Sequence, residues 1–190
     1  MNKRLKKAVV IFLVLLLTII AIISTFFITK YYSDKAIINR VTEIYSDDNV
    51  QERLNAEQDE LLLQIDDETV LGVIKIDKIG FEGLVYEGTS LSTLKKGVGH
   101  FENSAHLDGN VCLAAHNTNK FWAKLHTLQN GDKIIYTSFL GSKEYHVINI
   151  TTIDEDDWSL LEDTDENMIT LITCVKGQKE KRLCVQAMEF

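Results

Sequence analysis

The chain has 190 residues, enough for one domain of ordinary size with attached segments. Its net charge is −8, and an acidic chain is a poor surface for nucleic acid, whose binding depends on neutralising phosphates. Three cysteines provide no framework of paired disulfides, so packing has to hold the domain together.

Residues 9–29 form an apolar run without a charged side chain. This is about the ~20 residues that cross a bilayer as a helix. Four basic residues precede the run, Lys3, Arg4, Lys6 and Lys7, which predicts a cytoplasmic amino terminus with the remainder outside. A cleaved signal peptide is the alternative, but residues 26–30 (FFITK) contain no small-x-small cleavage site. We therefore predict a cytoplasmic tip and transmembrane anchor over residues 1–30, in a single-pass protein of the cell membrane.

Residues 31–65 are predicted to be a polar juxtamembrane stalk. Ile37, Ile38, Val41 and Ile44 recur at helical spacing, and residues 51–64 fit a second, charged helix. An amphipathic helix that folds back onto the domain is the alternative. Outside residues 1–30 the chain carries 15 basic and 28 acidic residues, a net charge of −13. Such a surface suits solubility or divalent cations and makes a nucleic-acid partner unexpected.

From residue 66 the pattern changes to the period of two that β-strands show. Strands are predicted at 69–76, 81–87, 110–116, 133–137, 143–152, 168–173 and 182–188, with a further strand edge at 97–101. Short helices are predicted at 90–96 and 117–127. Seven or eight short strands separated by turn signals predict a mostly β domain over residues 66–190, a closed seven- or eight-stranded β-barrel.

Two of these strands stop at residues that can carry out chemistry. The first ends at Cys174 and is followed by Arg182, and the other ends at His116. A thiolate can attack a carbonyl, and a histidine can donate and accept protons near neutral pH. A guanidinium can stabilise the oxyanion that forms. Strand alternation permits Cys174 and Arg182 to face one external groove. We predict Cys174 as nucleophile, His116 as general acid and base, and Arg182 as oxyanion and substrate stabiliser.

Each cysteine also has a structural reading. A free cysteine is often a small buried hydrophobe, which is the reading preferred for Cys112 and the alternative for Cys174. Cys184 has the same strand parity as Cys174, so a Cys174–Cys184 disulfide, which would block the nucleophile, is an alternative.

No metal is predicted to be required, although a calcium site that includes the acidic segment, residues 154–166, is an alternative. A calcium ion needs six to eight oxygens, and low-priority candidates are Glu102, Asp108, Asp154 and Glu155. The remaining histidines are expected on the surface or in structural hydrogen bonds: His100, His106, His126 and His146. Zinc is not predicted, because no close C-x-x-C or H-x-x-x-H pair is present.

The reactive segments resemble those of the sortases, a family of cell-surface cysteine transpeptidases. The resemblance rests on residues 170–174 (TLITC) with Arg182, and on residues 111–117 (VCLAAHN), and it covers residues 69–190. It implies a sortase-like barrel and gives Cys174, His116 and Arg182 the three roles above. Family members often have glycine where this chain has Ala115. The chain has no proline, which argues against the aspartate-proline-aromatic lid of the pilin-polymerising type. A general anchoring or class D-like sortase remains.

The resemblance further implies cleavage of an L-P-x-T-G sorting signal between Thr and Gly, through a thioester on Cys174. The acyl group would pass to an amine of a peptidoglycan precursor. The partners are then surface proteins with a carboxy-terminal sorting signal, the precursor amine and the lipid bilayer. The implied substrate groove comprises Ala114, Ala115, Ile172 and Thr173, with an apolar pocket of Trp158, Leu160 and Leu161.

Three other classes compete with this interpretation. An L,D-transpeptidase normally has a His-Gly-Cys context, whereas Thr173 precedes Cys174 here. A signal peptidase would need a Ser–Lys pair just after the anchor. A non-catalytic surface binding module would explain the fold, the anchor and the charge without using Cys174, and its Cys174 should be buried and inert.

Overall fold

The computed structural model describes residues 3–46, 63–65 and 68–190. It divides into two compact units, Met1–Asn39 and Arg40–Phe190. Helix α1, Lys3–Tyr45, is long and apolar enough to cross a membrane. Large apolar side chains between residues 9 and 28 are exposed along it, as a lipid-facing helix requires. The helix predicted over residues 51–64 lies outside the described residues, except for Leu63 and Gln64, which belong to a strand.

The last turn of α1 belongs to the second unit. Val41 is 2% and Tyr45 1% exposed, and the Tyr45 hydroxyl donates a buried hydrogen bond of 2.8 Å to the carbonyl of Val70. The apolar residues at helical spacing in this segment therefore cover the β-domain at their carboxyl end.

In the part of the chain that the structure describes, nine strands follow, and they form one sheet. They are β1 Leu63–Ile65, β2 Glu68–Ile76, β3 Phe81–Glu87, β4 Val98–His100, β5 Asn110–Ala114, β6 Lys133–Ser138, β7 Gly141–Asp154, β8 Met168–Val175 and β9 Gln178–Glu189. Helix α2, Leu91–Lys96, begins at Ser90, whose side chain accepts a hydrogen bond from the Thr93 amide. This is the usual arrangement of a serine N-cap.

The sheet order is β1-β2-β3-β4-β5-β8-β9-β7-β6, and β6 also pairs with β2. That pairing joins β6, at one end of the sheet, to β2, the second strand from the other end, so β2 to β9 form a closed eight-stranded barrel and β1 lies outside the closure. The prediction of a closed barrel is confirmed. Closure removes the free edges that would otherwise be open to pairing with other chains.

Two predicted elements differ from the structure. Strand β5 ends at Ala114, two residues before His116. Residues 117–127 form successive turns that end in a short 3₁₀ helix, Leu125–Thr127. The His116 carbonyl accepts hydrogen bonds from the amides of Thr118 and Trp122, and Trp122 is fully buried. Turns therefore replace the predicted helix, and their hydrogen bonds hold the backbone just after His116.

Candidate active site

Cys174 and Arg182 are direct neighbours on adjacent antiparallel strands. The register of β8 and β9 pairs Cys174 with Arg182, Thr173 with Leu183 and Ile172 with Cys184. The register shifts just after Cys174, as at a β-bulge, and the two strands meet at a tight turn. Bulges redirect side chains at the rims of barrels. Cys174 is exposed, whereas Thr173 before it is 2% exposed.

His116 is brought to the same place by the parallel pairing of β5 with β8. Ala114 lies opposite Ile172, and the Ala115 amide donates to the Ile172 carbonyl at 3.2 Å. The buried Thr173 hydroxyl donates a 2.7 Å hydrogen bond to the Ala115 carbonyl. Thr173 therefore ties the residue before His116 to the residue before Cys174. This contact gives a physical reason for a hydroxyl at that position of the TLITC segment.

Asn117 makes a contact that sequence reasoning missed. Its side-chain amide donates to the Cys174 carbonyl at 2.6 Å. The residue after His116 thus holds the backbone of Cys174, just as Thr173 holds the backbone before His116. An asparagine next to the histidine was visible in the sequence, but no periodicity shows that its amide crosses to β8.

The guanidinium of Arg182 is held at several points. Its Nη1 donates to the carbonyls of Lys179 and Lys181 at 2.7 and 3.0 Å, and its Nη2 donates to Oε2 of Glu155 at 2.8 Å. The backbone contacts orient the planar group, and Arg182 lies opposite Cys174 in the strand register. Glu155 belongs to the acidic segment after β7, so that segment places a carboxylate next to the permanent positive charge.

A groove of about 290 Å³ includes all three predicted catalytic residues. Its wall consists of β-strand ends, the α2 region and the acidic segment. Of the predicted substrate residues, five line it: Ala114, Ala115, Trp158, Ile172 and Thr173. Further apolar surface comes from Leu91 and Leu94 of α2 and from Phe101. The groove is therefore mainly apolar, with a smaller number of polar side chains in its lining, as is usual for ligand sites.

Leu160 and Leu161 do not line this groove. They pack with Phe101 against a buried cluster of Ile153, Ile172 and Cys184. Ile153 and Ile172 also line the groove, so Leu160 and Leu161 pack behind its wall. Leu161 lines instead an adjoining pocket of about 500 Å³, which shares Thr89, Phe101 and Trp158 with the groove. Phe101 and Trp158 meet edge to face, with their ring centroids 6.0 Å apart, at the junction of the two spaces.

Buried Asn110 attaches the acidic segment to the barrel. Its side-chain amide donates to the carbonyls of Leu160 and Glu162 at 3.1 and 2.9 Å. Its side-chain oxygen accepts a 2.8 Å hydrogen bond from the Thr170 hydroxyl, which is fully buried. A polar network of this kind is stable in the interior because its members are satisfied. The segment carrying Trp158 is therefore held over β5 and β8.

The four calcium candidates lie in different environments. Asp108 pairs with Lys143, Asp154 with Lys181 and Glu155 with Arg182, whereas Glu102 lines the 500 Å³ pocket. Within the described ranges, the structure does not bring these four carboxylates together as one group. Three of the four carboxylates are thus already in ion pairs with lysine or arginine side chains.

All three cysteines are free thiols. Cys112 and Cys184 are fully buried, and burial raises the pKa of each to about 12. Cys112 therefore has the core position that its apolar strand predicted. The alternative disulfide between Cys174 and Cys184 is not formed.

Comparison with known proteins defines the family. The family model described as the sortase domain matches residues 74–189, which is more than half of the chain. The chain therefore belongs to the sortase family, whose members are cysteine transpeptidases of the cell surface. This family membership confirms the resemblance inferred from residues 111–117, 170–174 and Arg182.

Individual relatives agree with this assignment. Sortase A of Bacillus anthracis is 31% identical over 127 residues, covering 65% of this chain and 60% of that protein. A solved structure of a Clostridium perfringens sortase D5 transpeptidase has a TM-score of 0.67 and 26% identity, over 83% of this chain and 98% of that one. A Clostridium perfringens sortase C solved with its C-terminal cell wall sorting motif has a TM-score of 0.64 and 25% identity, over 82% and 98%. The chain spans 53–60% of the length of the first three curated sortases it matches.

Proposed function

We propose that this protein is a membrane-anchored cysteine transpeptidase. It would cleave an L-P-x-T-G-type sorting signal of surface proteins between Thr and Gly and transfer them to an amine of a cell-wall precursor. The observation that carries the proposal is the exposed Cys174, paired across the β8–β9 hairpin with Arg182. Thr173 and Asn117 link this pair to the His116 segment.

The proposed chemistry proceeds in two acyl transfers. The Cys174 thiolate attacks the Thr carbonyl carbon, and the Arg182 guanidinium stabilises the oxyanion of the tetrahedral intermediate. The C–N bond to Gly then breaks, and His116 gives a proton to the departing amine. A thioester on Cys174 remains. The acceptor amine attacks this thioester, His116 takes its proton, and the new amide leaves while the Cys174 thiolate is restored.

The groove supports an extended peptide substrate. Leu91, Leu94 and Trp158 provide apolar surface in the groove that Cys174 and Arg182 also line. They suit the Leu-Pro part of the signal, while its Thr carbonyl lies at Cys174. In this proposal the apolar pocket for the signal is formed by Leu91, Leu94 and Trp158, which line the groove, and not by Leu160 and Leu161. Neither a cofactor nor a calcium ion enters the proposed steps.

The proposed location follows from α1. Its apolar part would span the membrane once, with the basic residues before it on the cytoplasmic side and the barrel outside. We propose residues 1–30 as tip and anchor, residues 31–65 as the connecting segment and residues 66–190 as the catalytic barrel. We propose a class D-like sortase, and the likeness to a sortase D5 transpeptidase supports this class.

The test is cleavage of a quenched L-P-x-T-G peptide library by the full chain in detergent micelles, with and without an acceptor amine. Wild type should cut after Thr and, with the amine present, form the new amide. Cys174→Ala, His116→Ala and Arg182→Ala should each abolish both products. Lys179→Ala, which alters the same hairpin but leaves its backbone carbonyl to Arg182, is the matched control and should stay active. Cleavage that persists in Cys174→Ala would refute the proposal, and so would a wild type that cuts no peptide.

A further inference from the structure

Three side chains with metal-binding atoms meet at the ends of β3 and β4, at residues that the proposed catalysis does not use. They are Glu87, His100 and His106, and their ligand atoms all lie within 4.8 Å of one another. Glu87 ends β3, His100 ends the neighbouring parallel strand β4, and His106 comes from the segment that leads into β5. No two of the three residues are close enough in sequence to form a recognised metal-binding pair.

The contacts of His100 indicate which of its two ring nitrogens carries a proton. The ring is fully buried, and its Nε2 lies 3.0 Å from the Ala105 carbonyl oxygen. A carbonyl oxygen only accepts hydrogen bonds, so Nε2 carries a proton. Nδ1 then lies 2.9 Å from Oε1 of Glu87. In the neutral ring, that nitrogen would present a lone pair to a carboxylate, which is repulsive unless a positive charge lies between them.

Glu87 also faces a second imidazole. Its Oε2 lies 3.3 Å from Nε2 of His106, and the two imidazole rings are tilted by 32° with centroids 4.7 Å apart. A carboxylate between two imidazole nitrogens is a donor set that binds first-row transition metals.

The spacing suits a small tetrahedral ion. Zinc lies about 2.0–2.2 Å from nitrogen and oxygen ligands, so neighbouring ligands of a tetrahedron are about 3.3 Å apart. Oε1 of Glu87 is 2.9 Å from Nδ1 of His100, and Oε2 is 3.3 Å from Nε2 of His106, so each imidazole is already close to that separation from one carboxylate oxygen. Metal-bound histidines usually donate their other ring N–H to a carbonyl or carboxylate, as His100 does to Ala105.

We propose that Glu87, His100 and His106 form a binding site for a divalent transition-metal ion, zinc in the first instance. His100 is the buried anchor, while Glu87 and His106 have side chains 31% and 36% exposed and leave a path for the ion. A water molecule would complete the fourth position. Two nitrogen donors favour zinc over calcium or magnesium, which take oxygen ligands.

An ion at this position would join three segments of the barrel. It would fix the ends of β3 and β4 to the segment around His106, whose neighbours Ser104 and Ala105 already contact His100. Phe101, the residue after His100, forms wall common to the two pockets near Cys174. The site would therefore stabilise one side of the groove without contacting the reacting atoms.

The test is a calorimetric zinc titration of the full chain in detergent micelles, carried out on the Cys174→Ala protein so that the exposed thiol does not bind zinc. We expect one ion per chain and a thermal unfolding midpoint that rises with zinc concentration. Glu87→Gln and His106→Asn should each weaken binding at least about tenfold. His126→Asn, which removes an exposed histidine away from the cluster, should bind as its parent does. Cobalt(II) in place of zinc should give the visible absorption of a tetrahedral site, and this should be lost in His106→Asn.

Two outcomes would overturn the proposal. The first is the absence of saturable zinc uptake, which would mean that a proton on Nδ1 supplies the positive charge beside Glu87. The second is uptake that His106→Asn leaves unchanged while its unfolding midpoint without metal matches that of the parent. Because these proteins lack Cys174, the result is independent of peptide cleavage and of the proposed transpeptidase activity.

Discussion

Two cysteines of the same β8–β9 hairpin differ in solvent exposure, because one lies at the rim of the barrel and the other in its interior. Cys174 and Cys184 have the same strand parity, and their cross-strand partners are Arg182 and Ile172. Cys174 is exposed at the rim, whereas Cys184 is fully buried under Phe101, Leu160 and Leu161. What covers a strand face, and not the strand itself, thus decides whether a thiol can serve as a nucleophile or as a core side chain.

Replacing each cysteine in turn should give the largest contrast. We expect Cys174→Ala to lower peptide cleavage by at least about 10⁴-fold, because it removes the thiol proposed to form the acyl-enzyme. Cys184→Ala should keep most of the activity, since the Cys184 thiol lies in the core. Rates of peptide cleavage by the two variants, compared with wild type, measure the difference. Similar losses in both variants would contradict the distinction between rim and core.

Alkylation should separate the thiols without any mutation. Burial raises the pKa of Cys112 and Cys184 to about 12, so both remain protonated at pH 8 and lack access to solvent. We expect one alkyl group per folded chain, on Cys174, with the other two at least about 10³-fold slower. Mass spectrometry of digested protein would locate the label, and unfolded protein, which should take up three groups, is the control. Labelled Cys184 in the folded chain would refute this assignment.

A polar substitution should have opposite consequences at the two sites. Cys184→Ser places a hydroxyl in an apolar cluster and should lower the free energy of unfolding by about 1–3 kcal/mol. Cys174→Ser, at an exposed position, should change that free energy by less than about 0.5 kcal/mol. Denaturant unfolding of the full chain in micelles measures both, and equal destabilisation would contradict the expectation.

Asn117 should influence the rim through the backbone of Cys174. Asn117→Ala removes the 2.6 Å hydrogen bond to the Cys174 carbonyl, which is worth about 0.5–1.5 kcal/mol. We expect kcat to fall about two- to tenfold with little change in KM, because the amide positions Cys174 and does not reach the reacting atoms. Asn119→Ala, at an exposed asparagine of the same turn, is the matched control. A purely structural role would instead lower the unfolding midpoint and leave kcat unchanged.

The smallest effect is expected at Glu155. Its ion pair with Arg182 is partly exposed, and such pairs contribute about 0–1 kcal/mol. The two backbone carbonyls would still orient the guanidinium in Glu155→Gln, so cleavage rates should change by less than about fivefold. Added salt, which weakens the pair in wild type, should reduce even that difference. A loss as large as that of Arg182→Ala would assign the positioning of Arg182 to Glu155.

Much of the molecule follows from local sequence patterns. Period-two alternation and turn residues located most strands, because a half-buried strand needs apolar residues on one face only. The uninterrupted apolar run marked the only helix among the described residues that is long enough to cross a bilayer. Cys174, His116 and Arg182 were found as reactive side chains at the ends of apolar segments. The structure places all three along one groove.

Long-range packing decided what these patterns left open. Alternation states which side of a strand a residue faces but not which segment covers that side, so it did not show that Leu160 and Leu161 pack against Ile153, Ile172 and Cys184. The hydrogen bond from Asn117 to Cys174 joins positions 57 residues apart, and that from Thr173 to Ala115 joins positions 58 apart. The cluster of Glu87, His100 and His106 likewise depends on the parallel pairing of β3 with β4. Such contacts exist only once the barrel has closed, because closure brings distant strand ends to the same rim.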